Sequence, residues 1–401
     1  MFRRLIVHLS RYSLANILIM IAGLLSFPFL TRMLTLEEYG YLSLIGVTLT
    51  VVVGVGKSGL QHSTVRFYAE SKSNPEYHNS FIATTLIGIS MVGALVAAVF
   101  FAISYIFYND FWGNHALHFT LLPVAILVFV RVMDSALMNI FRAEEKSGFV
   151  STYQILKKYL ALGLMISVFL YVAIGVGYFY LVQLAVELLL VLSLFFKILQ
   201  RYSISFRLFR LSMFKSMMIY GLPMLGYELF GTILNIGDRY VLQYLKGAES
   251  VGIYSASYNL CEYAQNIIVA AINSAILPMY LRMWAEEGAE KTKAFLDKSL
   301  RFFILLGFPI VAGLSAVGAE LLTFLASEQY ASGDRVIPYV VASMIFQGGS
   351  IIFAAGLYID RQSSRLMWMM VVTAIVNVAL NFLLIPHFGI EGCAIATLIS
   401  F

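Results

Sequence analysis

The chain consists of long apolar segments separated by short polar ones. About 20 consecutive apolar residues are enough for a helix to cross the hydrocarbon core of a bilayer. By that measure the sequence predicts twelve membrane-spanning helices, near residues 12–34, 40–65, 80–107, 119–141, 150–173, 177–197, 217–237, 251–280, 301–326, 336–358, 366–385 and from 391 onward. The first segment is too long for a cleaved signal peptide and no small-residue cleavage site follows it, so we expect it to be retained.

The composition supports a membrane protein. Hydrophobic residues make up 60% of the chain and charged residues only 12%, whereas soluble domains usually carry about 25% charged residues. The two cysteines, Cys261 and Cys393, both lie inside apolar segments and offer no spacing for a disulfide framework or a metal site. We therefore predict an all-α polytopic membrane protein.

A basic segment divides the chain near its middle. It runs from Lys197 to Lys215 and holds five lysines or arginines without an acidic residue. We interpret residues 201–215 as a cytoplasmic hinge loop between an N-terminal lobe, 1–200, and a C-terminal lobe, 216–401. Nucleic-acid binding is disfavoured, because basic patches for nucleic acid belong to soluble domains and this one lies between apolar helices.

The distribution of positive charge predicts the orientation. Taking the loops alternately, 21 of the 27 lysines and arginines fall on one side and 4 on the other. Loops rich in Lys and Arg stay in the cytoplasm, so the N-terminus is expected to be cytoplasmic. The connections are short, which leaves no room for a large extramembrane domain.

A sequence motif recurs in the two halves. Glu37-x-x-Gly40-x-x-Ser43 reappears as Glu249-x-x-Gly252-x-x-Ser255, at an offset of 212 residues. Weaker echoes are Thr31-Arg32 with Asp238-Arg239, and Gly175-Val-Gly177 with Gly389-Ile-Glu-Gly392. Six helices per half is an even number, so we expect two six-helix bundles related by a pseudo-twofold axis along the membrane normal. The last helix is too short to cross at Phe401, and we expect it to be truncated.

Four stretches of the sequence resemble a known family. LTRMLTLEEYGYLSL, GLPMLGYELFGTILNIGDRYVL, GIYSASYNL and LNFLLIPHFGIEGCAIATLISF are similar to the polysaccharide flippases of the multidrug/oligosaccharidyl-lipid/polysaccharide (MOP) superfamily, in particular Wzx-type exporters of O-antigen or capsule repeat units. The resemblance implies a MATE-like fold. It also implies movement of undecaprenyl-pyrophosphate-linked oligosaccharides from the cytoplasmic to the periplasmic leaflet of the bacterial inner membrane, by alternating access.

The same resemblance implies the partners. We expect the lipid bilayer and the lipid-linked oligosaccharide as partners, polysaccharide polymerase machinery as a further candidate, a monomeric protein, and no nucleic acid. We expect no cofactor, with H⁺ or Na⁺ as the candidate coupling ion.

Cations within or next to the predicted spans are candidates for substrate binding, because an ionisable group at membrane depth costs several kcal/mol unless it faces a cavity or a partner. Lys57 and Arg131 lie inside predicted spans, and Arg32 and Arg239 lie at their outer ends. Each has a structural alternative: Lys57 could extend to the interface, Arg131 could neutralise Asp134 three residues away, and Arg32 and Arg239 could be interfacial anchors.

Four carboxylates within the predicted spans are candidates for ion coupling: Glu228, Glu262, Asp134 and Glu187. We favour Glu228, because it follows Gly221 and Pro223, where a broken helix would open backbone groups to the lumen. The alternative for Glu262 is a hydrogen-bonding role between helices, together with Gln265 and Asn266.

Two other functions remain open. A cation-coupled multidrug antiporter of the same superfamily would need a lumen lined by acids rather than bases. A membrane glycosyltransferase or polymerase would need a sizeable extramembrane loop. The expected class is a transporter rather than an enzyme.

Overall fold

The computed structural model describes residues 2–72, 74–107, 115–360 and 362–401, apart from the side chains of residues 2–10, 115–117, 227, 264, 266–275, 278 and 363. The α-helices in this part of the chain are α1 Phe2–Met33, α2 Leu36–Lys57, α3 Leu60–Ser71, α4 Pro75–Ile106, α5 Leu121–Ala143, α6 Ser147–Tyr171, α7 Val176–Leu199, α8 Leu211–Ile236, α9 Asp238–Lys246, α10 Ala248–Glu287, α11 Ala289–Leu325, α12 Ile337–Phe353, α13 Ala355–Ile359 and α14 Ser363–Ser400.

Ten helical segments of the described chain are long and apolar enough to cross a membrane. The 40-residue helix α10 covers the eighth predicted span, 251–280, in addition. The protein is therefore an all-α, multi-pass membrane protein, as the apolar pattern predicts. The helix boundaries differ from the prediction at three places, each with a local cause.

The second predicted span, 40–65, is broken in two. Ser58 and Gly59 both have positive φ angles, 50° and 69°, a conformation that glycine adopts without steric cost. A Cβ atom on Gly59 would lie 1.9 Å from the carbonyl oxygen of Gly221, so the close approach of α8 also requires a glycine here. As a result α2 ends at Lys57, and this lysine lies at a helix end rather than in mid-helix.

Helix α8 corrects two expectations. It begins at Leu211, so residues 211–215 of the predicted hinge loop belong to a helix, and only residues 200–210 connect α7 to α8. Helix α8 is also continuous through Gly221 and Pro223. The prediction of a broken helix before Glu228 is wrong, because the break lies in the neighbouring segment, between α2 and α3.

The last two predicted spans are two helices that join directly at a kink, without a separate loop. Helix α14 runs from Ser363 to Ser400, and Gly389 has non-helical angles within it, φ 58° and ψ −131°. Pro386 lies just before this point, where its ring cannot continue the regular hydrogen-bond ladder. The Gly389 motif therefore marks a change of helix direction rather than a loop.

The chain divides into two compact units, which differ from the predicted lobes in their bounds. The first comprises residues 1–26 and 45–229, and the second residues 27–44 and 230–401. In the first unit α5 is largely buried, with Leu127, Val132 and Leu137 inaccessible to solvent. In the second unit Ile276, Tyr280, Phe303, Ile352 and Ala355 form an apolar cluster.

The repeated motif forms a symmetric contact within the second unit. A Cβ atom on Gly40 would lie 1.9 Å from the carbonyl oxygen of Ala248, and one on Gly252 would lie 2.2 Å from that of Leu36. Beside this crossing, the hydroxyl oxygens of Ser43 and Ser255 lie 2.7 Å apart. Each glycine thus meets the counterpart of the residue four positions before it, and the two serines meet each other. This is the pattern of a contact across a twofold axis. The 212-residue repeat predicted from the sequence is therefore visible as structure.

Candidate substrate site

A cavity of about 410 Å³ in the first unit brings together polar side chains from four helices. On α5 and α6 they recur every three or four residues, so each helix presents one polar face. The lining residues are Val53 and Lys57 of α2; Arg131, Asp134, Ser135, Met138 and Arg142 of α5; Gln154, Lys157, Lys158 and Ala161 of α6; and Gln183 and Glu187 of α7.

Two carboxylates in this cavity are bound by cations. The Arg131 guanidinium donates to Glu187 through Nη2, at 2.8 Å, and through Nε, at 3.1 Å. The Lys157 ammonium lies 2.6 Å from Oδ2 of Asp134, and the Tyr153 hydroxyl donates to Oδ1 at 2.5 Å. The interpretation that Arg131 and Asp134 neutralise each other is therefore wrong, because each has a partner on another helix.

The cavity carries a surplus of positive charge. It is lined by five cations, Lys57, Arg131, Arg142, Lys157 and Lys158, and by two carboxylates. After the two ion pairs are formed, three cations remain. Among the residues that the structure describes, none of these three has a carboxylate within 4.0 Å. Arg142 donates to the Asn139 side chain, at 3.0 Å, and not to an acid.

This surplus has a direct chemical consequence. Lysine and arginine within apolar helices are costly unless they pair or face water, and here they face a polar cavity large enough for a diphosphate and part of a sugar. Charge-assisted hydrogen bonds to phosphate are among the stronger ones in proteins. Gln154, Gln183 and Ser135 add uncharged hydrogen-bonding groups to the same wall. The arrangement is suited to an anion that also carries hydroxyl groups.

The structure places four predicted residues in this one cavity: Lys57, Arg131, Asp134 and Glu187. Sequence reasoning missed Arg142, Lys157 and Lys158, which we assigned to a cytoplasmic loop. Lys157 and Lys158 lie well within the predicted span 150–173, so the argument from intramembrane charge applied to them equally. Both lysines follow Gln154 at a distance of three or four residues, which places the three polar side chains on one side of the helix. This spacing is the signal that would have found them.

The two remaining predicted cations lie elsewhere, in the second unit. Arg32 donates to the carbonyl oxygens of Phe324 and Ala326 at the end of α11, at 2.5 and 3.3 Å. Arg239 is 4% exposed and contacts Ser255 and the Tyr258 ring. The interfacial-anchor interpretation is wrong for Arg239, because it is buried. The two arginines are 207 residues apart rather than 212, so the repeat does not relate them.

Glu228 forms a second polar group in the first unit. Its carboxylate accepts from the Gln61 amide, at 2.8 Å, and lies 2.8 Å from Nε2 of His62. Its side chain is 44% exposed, and that of His62 37%.

Glu262 is exposed in the second unit, where Gln265 donates to the Met344 carbonyl oxygen. The side chain of Asn266, which we grouped with Glu262, lies outside the described residues.

Solved structures share this fold. The chain superposes on an inward-facing multidrug resistance MATE family transporter of the MOP superfamily with a TM-score of 0.76, at 12% identity, covering 98% of this chain and 94% of that one. It superposes on the lipid II flippase MurJ, in an inward closed conformation, with a TM-score of 0.78, at 13% identity, covering 97% and 84%. The chain therefore shares its fold with these two transporters.

Sequence relatives point in the same direction. A Shigella flexneri protein named as an O-antigen transporter is 23% identical over 383 residues, 92% of this chain and 88% of that protein. A Haloferax volcanii protein named as a low-salt glycan biosynthesis flippase is 22% identical over 151 residues, 38% of this chain and 32% of that protein. The model of the polysaccharide biosynthesis protein family matches residues 9–284, more than half of the chain, and the chain belongs to that family.

Proposed function

We propose that this protein is a flippase that moves undecaprenyl-pyrophosphate-linked oligosaccharides from the cytoplasmic to the periplasmic leaflet of the bacterial inner membrane by alternating access. The observation that carries the proposal is the surplus of three cations in a cavity of an otherwise apolar chain. The names of the relatives from Shigella flexneri and Haloferax volcanii, and the shared fold with a lipid II flippase, support the same substrate class.

In this mechanism the free cations capture the pyrophosphate. A pyrophosphate that joins a lipid to a sugar has two ionised oxygens, which Lys57, Lys158 and Arg142 can neutralise. The sugar then lies against the glutamine and serine side chains of the cavity, while the lipid tail stays in the bilayer. Arg131 and Lys157 hold the opposing carboxylates, so the charge surplus is kept at a fixed place.

The sign of the cavity argues against the antiporter alternative. A carrier of organic cations needs carboxylates that are free to face its substrate, and both acids of this cavity are bound by cations. The enzyme alternative would need a sizeable extramembrane loop, and the connections between the described helices are short. Transport of an anionic lipid-linked sugar therefore fits the geometry best.

Kinetics of the free lysines test the proposal. Removal of one charge-assisted hydrogen bond costs about 1.5–3 kcal/mol, so Lys57→Gln and Lys158→Gln should each raise the KM for flipping labelled lipid-linked oligosaccharide in proteoliposomes about tenfold or more. The control is Lys293→Gln, on the exposed surface of α11. An unchanged KM in both cavity variants would exclude capture of the pyrophosphate by this cavity.

Glu228 is our candidate for coupling transport to a proton gradient. The Glu228 carboxylate is 44% exposed, so protons can reach it from water, and it lies 2.8 Å from both the Gln61 amide nitrogen and Nε2 of His62. We expect Glu228→Gln to remove the acceleration of flipping by an imposed pH gradient while leaving downhill flipping intact. If Glu228→Gln vesicles still respond to the gradient, Glu262 becomes the candidate to test.

We further propose a monomer that acts beside the polysaccharide polymerase machinery, with its N-terminus in the cytoplasm. Protease protection of an N-terminal tag in sealed inverted membrane vesicles tests the orientation. Cleavage of the tag in intact inverted vesicles is the expected result, and full protection would reverse the assignment of every loop.

A further inference from the structure

A second cavity, of about 340 Å³, lies in the first unit, apart from the basic one. Its lining comes from the last turn of α5, the start of α6, and the end of α7 with the residues that follow it. The lining residues are Phe141, Lys146, Phe149, Lys197, Gln200 and Arg201. The cavity therefore lies where three helices reach the same membrane surface, on the side where most of the basic residues are expected.

Three cations of this cavity converge on two aromatic rings. The rings of Phe141 and Phe149 are in contact, with centroids 4.7 Å apart. Lys197 Nζ lies 4.9 Å from the centroid of Phe149, while Lys146 Nζ and Arg201 Cζ lie 5.7 and 5.8 Å from that of Phe141. Contact with the ring faces holds the cations in place without neutralising them.

One carboxylate partly balances the three cations. Glu144 forms ion pairs with Lys146 and Arg201 and accepts a hydrogen bond from the Tyr202 hydroxyl at 2.9 Å. Among the described residues, Lys197 has no carboxylate within ion-pair distance. A net charge of two remains, and the cations are accessible: the side chains of Lys146 and Arg201 are 41% and 45% exposed.

The helix faces beside this cavity are apolar and exposed. On α7, Leu189, Leu192 and Phe196 form an exposed stripe that ends next to Lys197. On α6, Leu156 and Leu160 are exposed on the same face as Phe149, and Lys158 lies on the opposite face of this helix. In a membrane, exposed apolar stripes of this kind are covered by acyl chains, so the cavity opens towards lipid rather than towards the basic cavity.

We propose that this second cavity binds the phosphodiester headgroup of an anionic phospholipid. The phosphate lies between Lys146, Lys197 and Arg201, and the acyl chains lie along the stripes of α6 and α7. Basic pockets between helices at the cytoplasmic surface are a known way for membrane proteins to hold anionic lipids. A bilayer lipid is favoured over free phosphate, because the charged pocket continues directly into the apolar stripes. This inference does not depend on the proposed transport function.

Native mass spectrometry of the full chain, released from nanodiscs of mixed phosphatidylcholine and phosphatidylglycerol, tests the site. The variant is Lys197→Gln/Arg201→Gln, and the charge-matched control is Lys293→Gln/Lys298→Gln on the exposed surface of α11. A juxtamembrane cation contributes about 1 kcal/mol to binding of an anionic lipid, or about fivefold in affinity. We expect the variant to retain phosphatidylglycerol about 25-fold more weakly than the wild type and the control.

Lys197→Arg keeps the charge and should retain the lipid, which separates loss of charge from loss of folding. The proposal is overturned if the double variant retains as much phosphatidylglycerol as the wild type, or if phosphatidylcholine is retained equally well. Displacement of phosphatidylglycerol by millimolar inorganic phosphate would identify a free-phosphate site instead, and would also overturn it. Unchanged flipping kinetics in the double variant are compatible with the lipid site, so the two proposals fail separately.

Discussion

The basic cavity of the first unit and the Asp238–Arg239 cluster of the second unit both place charges among apolar helices, but they balance those charges differently. The cavity has five cations and two carboxylates, and its side chains are partly exposed. The cluster has one carboxylate, Asp238, and one cation, Arg239, and these side chains are only 1% and 4% exposed. The Tyr254 hydroxyl donates to Asp238, at 2.6 Å, and Arg239 donates to Ser255 and to the Asn235 carbonyl oxygen.

The difference shows how to rank charged residues in a membrane protein. Burial alone would make Arg239 the first candidate for substrate binding, since it is more deeply buried than Arg131 and Lys157 of the cavity. Its hydrogen bonds and its position on the Tyr258 ring instead fit a structural role. The cavity differs in having an excess of positive charge next to a volume that a ligand can occupy. An anionic substrate can bind to this excess charge.

We expect the largest effect, a loss of thermal stability, from a substitution that removes the cation of the Asp238–Arg239 cluster. Arg239→Gln leaves the Asp238 carboxylate buried without its neighbouring cation, and an uncompensated buried charge costs about 3–5 kcal/mol. We expect a large fall in the apparent Tm, measured by fluorescence-detected size-exclusion chromatography after heating. Lys57→Gln removes a cation from the surplus and should leave the Tm unchanged or slightly higher.

Equal Tm losses in Arg239→Gln and Lys57→Gln would remove the distinction between a structural and a functional cluster. Arg239→Lys serves as the conservative variant. It keeps the charge but loses the planar guanidinium on the Tyr258 ring, so its Tm should lie between those of the wild type and Arg239→Gln.

We expect a smaller loss of thermal stability from a substitution of Gly40, which lies in close contact with the backbone of Ala248 in the second unit. Gly40→Ala would place a Cβ atom 1.9 Å from the Ala248 carbonyl oxygen, a backbone atom that cannot move alone. Overpacking of this kind typically costs about 1–3 kcal/mol, so the Tm should fall. Gly313→Ala is the control, because no atom of the described residues outside its own helical turn lies within 4 Å of its Cβ position. A Tm of Gly40→Ala at or above that of Gly313→Ala would contradict the close contact.

The sequence predicts the fold more fully than the site. Apolar length alone locates the spans, because the bilayer sets one scale for all of them. The repeat of Gly40 and Ser43 at Gly252 and Ser255 is also readable, since a symmetric contact constrains both copies alike. The break at Gly59 is not readable from the same pattern, because it depends on the approach of Gly221 from a helix distant in the sequence.

Lys57 and Arg131 can be selected from the sequence because each is isolated in an apolar segment. Their partners cannot be selected in this way. Arg131 pairs with Glu187 and Asp134 with Lys157, and both pairs join helices whose rotation about their axes is set by packing. For the same reason the cation surplus is not visible in the sequence, because it depends on which charges share a cavity.

The smallest effect sharpens the comparison within the cavity itself. Glu187→Gln frees Arg131 and raises the surplus from three to four, whereas Arg131→Gln lowers it to two. If charge governs binding, the affinity for the lipid-linked oligosaccharide should rise in the first variant and fall in the second, each by about fivefold for an interaction of about 1 kcal/mol. If the shape of the ion pair governs binding, both variants should bind more weakly.

The double variant Arg131→Gln/Glu187→Gln restores a surplus of three. If charge alone governs binding, its affinity should return to that of the wild type. Added salt should shrink all these differences, because it screens partly exposed charges.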